Sequence, residues 1–216
     1  MRRISVLAAI RKLGRRVFCT REISMSSGKS LSAVTQALNN LVREGLAIKI
    51  YRGVWALEND EPLSACAVVP YLFPWERVYV SFISALHLHG MIEQIPQIIT
   101  LASTSHSKII RTKLGVFQTY HISPSFFAGF GWYKNSNLSG SGQGFLIAEP
   151  EKALADSLYL SAYKQKRFRD FPEIYFPRSF SFKRARSWAD KINSKPARIH
   201  ARKVLEEIRL SANQQK

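Results

Sequence analysis

The sequence contains few cysteines and no long apolar segment. Cys19 and Cys66 are the only cysteines, too few for a disulfide framework and without the spacing of a zinc site. We predict that both are buried, reduced thiols. No apolar run approaches the roughly 18 residues of a membrane-spanning helix, and Arg11 and Lys12 interrupt the N-terminal apolar stretch too early for a signal peptide. The sequence therefore predicts a cytoplasmic protein without a membrane partner.

Acidic residues are also scarce. The chain has 15 Asp and Glu against 32 Lys and Arg, a net charge of +17. The excess positive charge is concentrated at the two ends of the chain, with net charges of +8 for residues 1–58, −1 for 59–163 and +10 for 164–216. Basic ends of this kind are typical of nucleic-acid-binding proteins, because Lys and Arg contacts to phosphates release counterions.

Recognisable cofactor and metal motifs are missing. Gly140, Gly142 and Gly144 alternate, but their spacing fits neither the P-loop nor the dinucleotide-binding fingerprint. His87 and His89 are two residues apart, which places them on opposite sides of a helix, so they cannot share a metal ion. We predict a polar loop at the glycines, no cofactor and no metal.

The densest acidic cluster consists of Glu149, Glu151, Lys152 and Asp156. Metal-dependent nucleases use an acidic residue followed by Glu-x-Lys, but here Glu151 and Lys152 are adjacent, so the spacing does not fit. Acidic side chains at the start of a helix interact favourably with its dipole. We therefore favour helix capping for this cluster, and a nucleic-acid-processing enzyme is the alternative.

The stretch from Val17 to Leu57 has the pattern of a winged helix-turn-helix. Ser30 suits the N-cap of a helix that runs to Glu44, and Gly45 suits its C-terminal end. Two short helices are predicted before it. Two β-rich runs follow it and meet at Arg52 and Gly53, which indicates a hairpin. This is the order of elements in a winged helix-turn-helix, whose second helix enters the major groove of DNA.

The predicted recognition helix has two faces. Its apolar residues share one face at helical spacing, namely Leu31, Val34, Leu38, Leu41 and Val42. On the opposite face, the residues predicted to contact bases are Ser32, Gln36, Asn39 and Arg43. The residues predicted to contact phosphates are Arg15, Arg16, Lys29, Lys49 and Arg52.

The sequence predicts an α+β protein with three parts. Residues 1–58 form the winged helix-turn-helix domain, and an acidic stretch ending at Pro62 marks the boundary. Residues 63–163 carry both strand and helix patterns and form a mixed α/β domain. Residues 164–216 form a basic extension packed on that domain, with two helices predicted over 180–192 and 197–210.

The basic extension has three possible uses. A second basic surface is predicted from Arg184, Arg186, Lys191, Arg198, Arg202 and Lys203. It can contact phosphates, or it can bind an acidic partner protein with apolar anchors at Phe180, Phe182, Trp188 and Ile199. A solvated basic face without a partner is the third interpretation.

Three segments together resemble one known family. They are YRGVWAL at 51–57, YVS, SAL and HGMI within 79–92, and IAEPEKALAD at 147–156. The combination resembles the AbiEi family of antitoxins, which belong to abortive-infection toxin–antitoxin pairs of bacteria. The resemblance covers roughly residues 17–160 and is weakest in the basic extension.

The resemblance implies a repressor rather than an enzyme. It implies binding to inverted repeats of double-stranded DNA in the chain's own promoter, through the N-terminal domain. It also implies that the remainder counters a nucleotidyltransferase-like toxin, directly or indirectly, and it carries over no catalytic residue. A stand-alone winged-helix regulator, with a middle domain that senses a ligand, is the alternative within the same class.

Overall fold

The computed structural model describes residues 4–133, 144–163 and 172–214. Contacts divide the chain into two compact units. The first is built on residues up to Trp75 and the second on most residues from Glu76 onward, while Arg111–Gly115 and the residues around Phe145 group with the first. The predicted loop glycines at 140 and 142, and the first eight residues of the basic extension, lie outside the described residues. Within the described ranges, no helix has both the length and the apolarity to cross a membrane.

The first unit contains the predicted winged helix-turn-helix. Its elements are α1 (Val6–Leu13), β1 (Val17–Cys19), α2 (Thr20–Ser27), α3 (Leu31–Arg43), β2 (Ala47–Tyr51) and β3 (Val54–Leu57). The strands form an antiparallel sheet in the order β1-β3-β2. The fold class predicted from the sequence is therefore confirmed for this part of the chain.

Local signals set the limits of α3. The Ser30 hydroxyl accepts a hydrogen bond from the amide of Ala33, as an N-cap does. Gly45 follows the helix with a φ of 73°, a conformation that glycine adopts without steric cost. Val34 and Leu38 are buried, whereas Leu31, predicted on the same apolar face, is 52% exposed. The apolar face of α3 therefore stops short of its first residue.

The first unit extends further along the chain than the predicted boundary at residues 59–62. A 3-10 helix at Ala65–Val68 and the short α4 (Val69–Leu72) follow the boundary and are largely buried. The Arg15 guanidinium lies 5.7 Å from the centre of the Tyr71 ring. Contacts of this kind attach residues after Pro62 to the winged helix. A change in composition along the sequence does not reveal such contacts.

From Val78 onward the chain forms a mixed six-stranded sheet with helices. The elements are β4 (Val78–Val80), α5 (Phe82–Leu88), β5 (Ile98–Ser103), β6 (Ile109–Thr112), β7 (Gly115–His121), a 3-10 helix (Pro124–Phe126), β8 (Phe130–Tyr133), β9 (Phe145–Ala148), α6 (Pro150–Ser161), α7 (Phe182–Asp190) and α8 (Lys195–Gln214). The strand order is β6-β7-β5-β4-β9-β8, with β4 antiparallel to β5 and parallel to β9. The predicted α+β class is confirmed here too.

One backbone conformation in this second part is unusual. Phe82, the first residue of α5, has a φ of 57° and is fully buried. Among the described residues it is the sole non-glycine residue with positive φ, and a bulky side chain rarely adopts that conformation. This conformation therefore lies where the chain passes from β4 through Ser81 into α5.

Candidate nucleic-acid interface

The four predicted base-contacting residues lie together on the exposed face of α3. Ser32, Gln36, Asn39 and Arg43 are all exposed, opposite the buried Val34 and Leu38. Arg43 donates a hydrogen bond to the side-chain oxygen of its neighbour Asn40. The face thus offers one hydroxyl, two amides and a guanidinium, the groups that bond base edges in the major groove.

Three of the predicted phosphate-contacting residues are available near this face or on the wing. Arg52 is exposed in the two-residue turn between β2 and β3, where Gly53 takes a φ of 75°. Lys49 is exposed on β2, with its ammonium 5.3 Å from the centre of the Trp55 ring. Lys29 is half-buried in the turn before α3.

The other two predicted phosphate contacts, Arg15 and Arg16, are used inside the fold. Arg16 is only 8% exposed. Its guanidinium donates to the backbone carbonyls of Leu57, at 3.0 Å, and Glu61, at 2.6 Å. Arg15 is half-buried and forms an ion pair with Glu22. We therefore assign both arginines to the stability of the first unit rather than to DNA.

The predicted second basic surface is partly neutralised by pairing within the fold. The ion pairs are Arg184 with Glu151 at 2.7 Å, Arg202 with Asp190 at 2.6 Å and Lys203 with Glu207 at 3.9 Å. Arg198 donates to the carbonyl of Ile192 at 3.0 Å. Arg186 is exposed, and the exposed Lys191 lies 4.0 Å from the centre of the Trp188 ring. These contacts favour a mostly structural use of the basic helices.

The apolar anchors predicted beneath that surface are largely occupied. Phe180 and Phe182 pack against each other and against Phe176, with ring centres 4.7–5.1 Å apart. Trp188 packs so closely on Gly129 that a Cβ at that glycine would meet the ring at 2.5 Å. Ile199 differs from these three because it is exposed.

A buried polar network, which sequence analysis missed, lies between α6 and β4. Lys152 and Asp156 form an ion pair one helical turn apart and are fully buried. Tyr79 and Ser81 donate hydrogen bonds to Asp156 Oδ2, at 3.0 and 2.7 Å, and Lys152 donates to the Tyr79 hydroxyl at 3.1 Å. The Lys152 ammonium also lies 3.8 Å from the centre of the Phe126 ring.

Burial dominates the electrostatics of this network. Desolvation raises the pKa of Asp156 and lowers the pKa of Lys152, although each charge favours the ionised form of the other. The pKa of Tyr79 is raised by burial and by the Asp156 charge. All four side chains are enclosed, so in this conformation the network joins α6 to β4 and presents no open surface.

The predicted capping role of the acidic cluster needs correction. Glu149 occupies the N-cap position of α6, but its side chain makes no capping hydrogen bond. Glu151 is buried and accepts hydrogen bonds from the backbone amide of Ser181, at 2.8 Å, and from Arg184. It therefore attaches α6 to the start of α7. Across the described ranges, no three His, Cys, Asp or Glu side chains are placed to hold a metal ion.

The two cysteines are free thiols. Cys66 is buried as predicted, and burial raises its pKa to about 12. Cys19 is half-buried rather than buried, and desolvation together with the Glu22 charge raises its pKa to about 11. At neutral pH both thiols are protonated and therefore poor nucleophiles.

Comparison with known proteins adds no family to these observations. Neither a protein-family model nor a curated protein matches the chain. The resemblance to AbiEi antitoxins rests on the three sequence segments alone.

Proposed function

We propose that this protein is a sequence-specific DNA-binding repressor of its own operon and the antitoxin of a bacterial toxin–antitoxin pair. The observation that supports the DNA-binding half is the exposed polar face of α3, which stands beside a basic wing on a winged-helix fold.

In the proposed complex, α3 enters the major groove. Gln36 and Asn39 have amides that can form two hydrogen bonds with adenine, and Arg43 has a guanidinium that can do so with guanine. Arg52 and Lys49 bind phosphates from the wing, and Lys29 binds a phosphate beside the start of α3. Phosphate contacts fix the register of the protein, whereas the α3 contacts select the sequence.

The antitoxin half rests on the resemblance of residues 79–92 and 147–156 to AbiEi antitoxins. In this structure Tyr79, Ser81, Lys152 and Asp156 of those segments form the buried network. Buried side chains cannot contact another protein, so these four side chains contribute stability to the second unit. Exposed residues of that unit then oppose the nucleotidyltransferase-like toxin, directly or through a shared target.

The first experiment is a titration of the protein with its own upstream promoter and with scrambled DNA at several salt concentrations. We expect a preference of about a thousandfold or more for the promoter and a steep loss of affinity with salt. Equal affinity for both DNAs would contradict the proposed repressor function.

The antitoxin half is tested by the growth of cells that express the neighbouring gene, with and without this chain. A growth defect that this chain does not change would contradict the antitoxin function and leave a stand-alone regulator.

Asn39→Ala tests the base-contacting face. Removing one bidentate contact should weaken promoter binding by about 1–3 kcal/mol and leave binding to scrambled DNA almost unchanged. Asn59→Ala is the matched control, because Asn59 is an exposed asparagine of the same unit, outside α3 and the wing. Equal losses of Asn39→Ala on the two DNAs would show that Asn39 does not read sequence.

A further inference from the structure

The first unit has a cavity of about 280 Å³ where the end of α1 meets the end of β3. Three arginines, Arg11, Arg15 and Arg16, contribute to its lining. Within the described part of the chain, the one acidic residue in this lining is Glu58. Because β3 begins at the wing turn and ends at Leu57, the cavity lies at the opposite end of this strand from the wing.

Arg16 carries a buried positive charge that no carboxylate of the described residues neutralises. The residue is only 8% exposed. Its guanidinium donates to two backbone carbonyls, those of Leu57 and Glu61, and it takes part in none of the ion pairs of the described residues. Arginine is rarely buried to this extent without an anionic partner. A ligand in the adjoining cavity can supply that anion.

The other two arginines of the lining also have N–H groups to spare. The Arg15 guanidinium pairs with Glu22, but its Nε is buried and has no hydrogen-bond acceptor. Arg11 is exposed, and its side chain forms no hydrogen bond or ion pair with the described residues. The three guanidinium groups therefore supply more donors than the surrounding protein atoms accept, and the charges of Arg11 and Arg16 have no ion-pair partner.

Phosphate is the anion that suits this lining best. A guanidinium can bind two phosphate oxygens through parallel hydrogen bonds, and it is more weakly hydrated than an ammonium group, which favours such pairs at partly buried sites. The cavity is slightly smaller than the roughly 300–1,000 Å³ of most ligand pockets, so it suits a small anion. We propose that it binds the phosphate group of a small molecule, either the free ion or a phosphomonoester. This site goes beyond the proposed DNA binding and does not depend on it.

The test is a calorimetric titration of the full chain with inorganic phosphate and with glycerol 3-phosphate, at constant ionic strength. We expect saturable binding. Arg11→Ala should weaken it about tenfold, the effect of losing a charge-assisted hydrogen bond. Glu58→Gln should strengthen it about threefold, because the substitution removes a repulsive charge near the surface. Both residues are exposed, so the substitutions should leave the fold intact.

Arg21→Ala and Glu44→Gln are the matched controls, because both residues are exposed in the same unit and lie outside the cavity lining. Each control should bind phosphate as the wild type does. A wild-type protein that shows no saturable binding, or equal losses for Arg11→Ala and Arg21→Ala, would overturn the site. Tighter binding of glycerol 3-phosphate would identify a phosphomonoester as the ligand, and tighter binding of inorganic phosphate would identify the free ion.

A titration with scrambled DNA distinguishes a small-molecule phosphate from a phosphate of the DNA backbone. Arg11→Ala should keep the wild-type affinity for this DNA. A loss as large as that seen with inorganic phosphate would show that Arg11 contacts the DNA backbone, and it would overturn the assignment to a small molecule. The phosphate titration needs no DNA, so a missing promoter preference would contradict the proposed function without affecting this result.

Discussion

Asp156→Ala is expected to destabilise the protein by about 3–5 kcal/mol. The substitution leaves the Lys152 ammonium buried without its carboxylate, and it removes the acceptor shared by Tyr79 and Ser81. An unpaired buried charge loses its hydration and gains nothing in return. Chemical denaturation followed by circular dichroism measures the loss in the transition of the second unit.

Two comparisons distinguish this result from a general effect of removing an aspartate. Asp190→Ala breaks the partly exposed pair with Arg202 and should cost less than about 1 kcal/mol. The double variant Lys152→Met, Asp156→Asn removes both charges but keeps an amide oxygen for Tyr79 and Ser81, so it should lose less stability than Asp156→Ala. Equal losses for Asp156→Ala and Asp190→Ala would contradict the buried network as a source of stability.

The parts of the fold that the sequence predicted are those with local signals. Ser30 at the N-cap, Gly45 after the helix and the Arg52-Gly53 turn each lie within a few residues of the structure they determine. The helices of the basic extension follow the same rule: the predicted ranges 180–192 and 197–210 contain most of α7 and α8. Helical periodicity and turn chemistry were sufficient for these elements.

The wrong or missed assignments depend on partners far along the chain. Arg16 looked like a free basic residue because its acceptors, the carbonyls of Leu57 and Glu61, follow it by 41 and 45 residues. Lys152 and Asp156 were assigned to a helix-capping cluster because their partners are distant in sequence: Tyr79 and Ser81 precede Asp156 by 77 and 75 residues. The sequence did contain one indication that Lys152 and Asp156 are buried, because the helix that carries them is otherwise rich in Ala and Leu.

Leu31 illustrates a different limit. Periodicity gave its direction around α3 correctly, but direction alone does not fix burial, which requires a neighbouring element to cover the position. The rest of the apolar face is covered by the core of the first unit, which contains Val34 and Leu38.

Trp55→Ala should destabilise the first unit by about 3–5 kcal/mol and weaken promoter binding as a consequence. Trp55 is 1% exposed and packs in one core with Phe18 and Leu38. Its ring nitrogen donates to the Thr20 hydroxyl at 2.8 Å, and the Lys49 ammonium lies over the ring. One side chain therefore supports the core beneath α3 and the start of α2, and it contacts a basic residue of the wing.

Trp75→Ala is the matched control, because Trp75 is 86% exposed and a surface substitution usually changes stability by less than about 0.5 kcal/mol. Trp55→Phe should fall between the two, since it keeps most of the buried ring but leaves the Thr20 hydroxyl without its donor. Thermal unfolding followed by tryptophan and amide signals measures the stability of each variant. The promoter titration is then repeated at temperatures below and above the unfolding midpoint of the Trp55→Ala variant. Promoter binding that survives above that midpoint would show that DNA recognition does not require the folded first unit, and the assignment of α3 as the recognition helix would then be wrong.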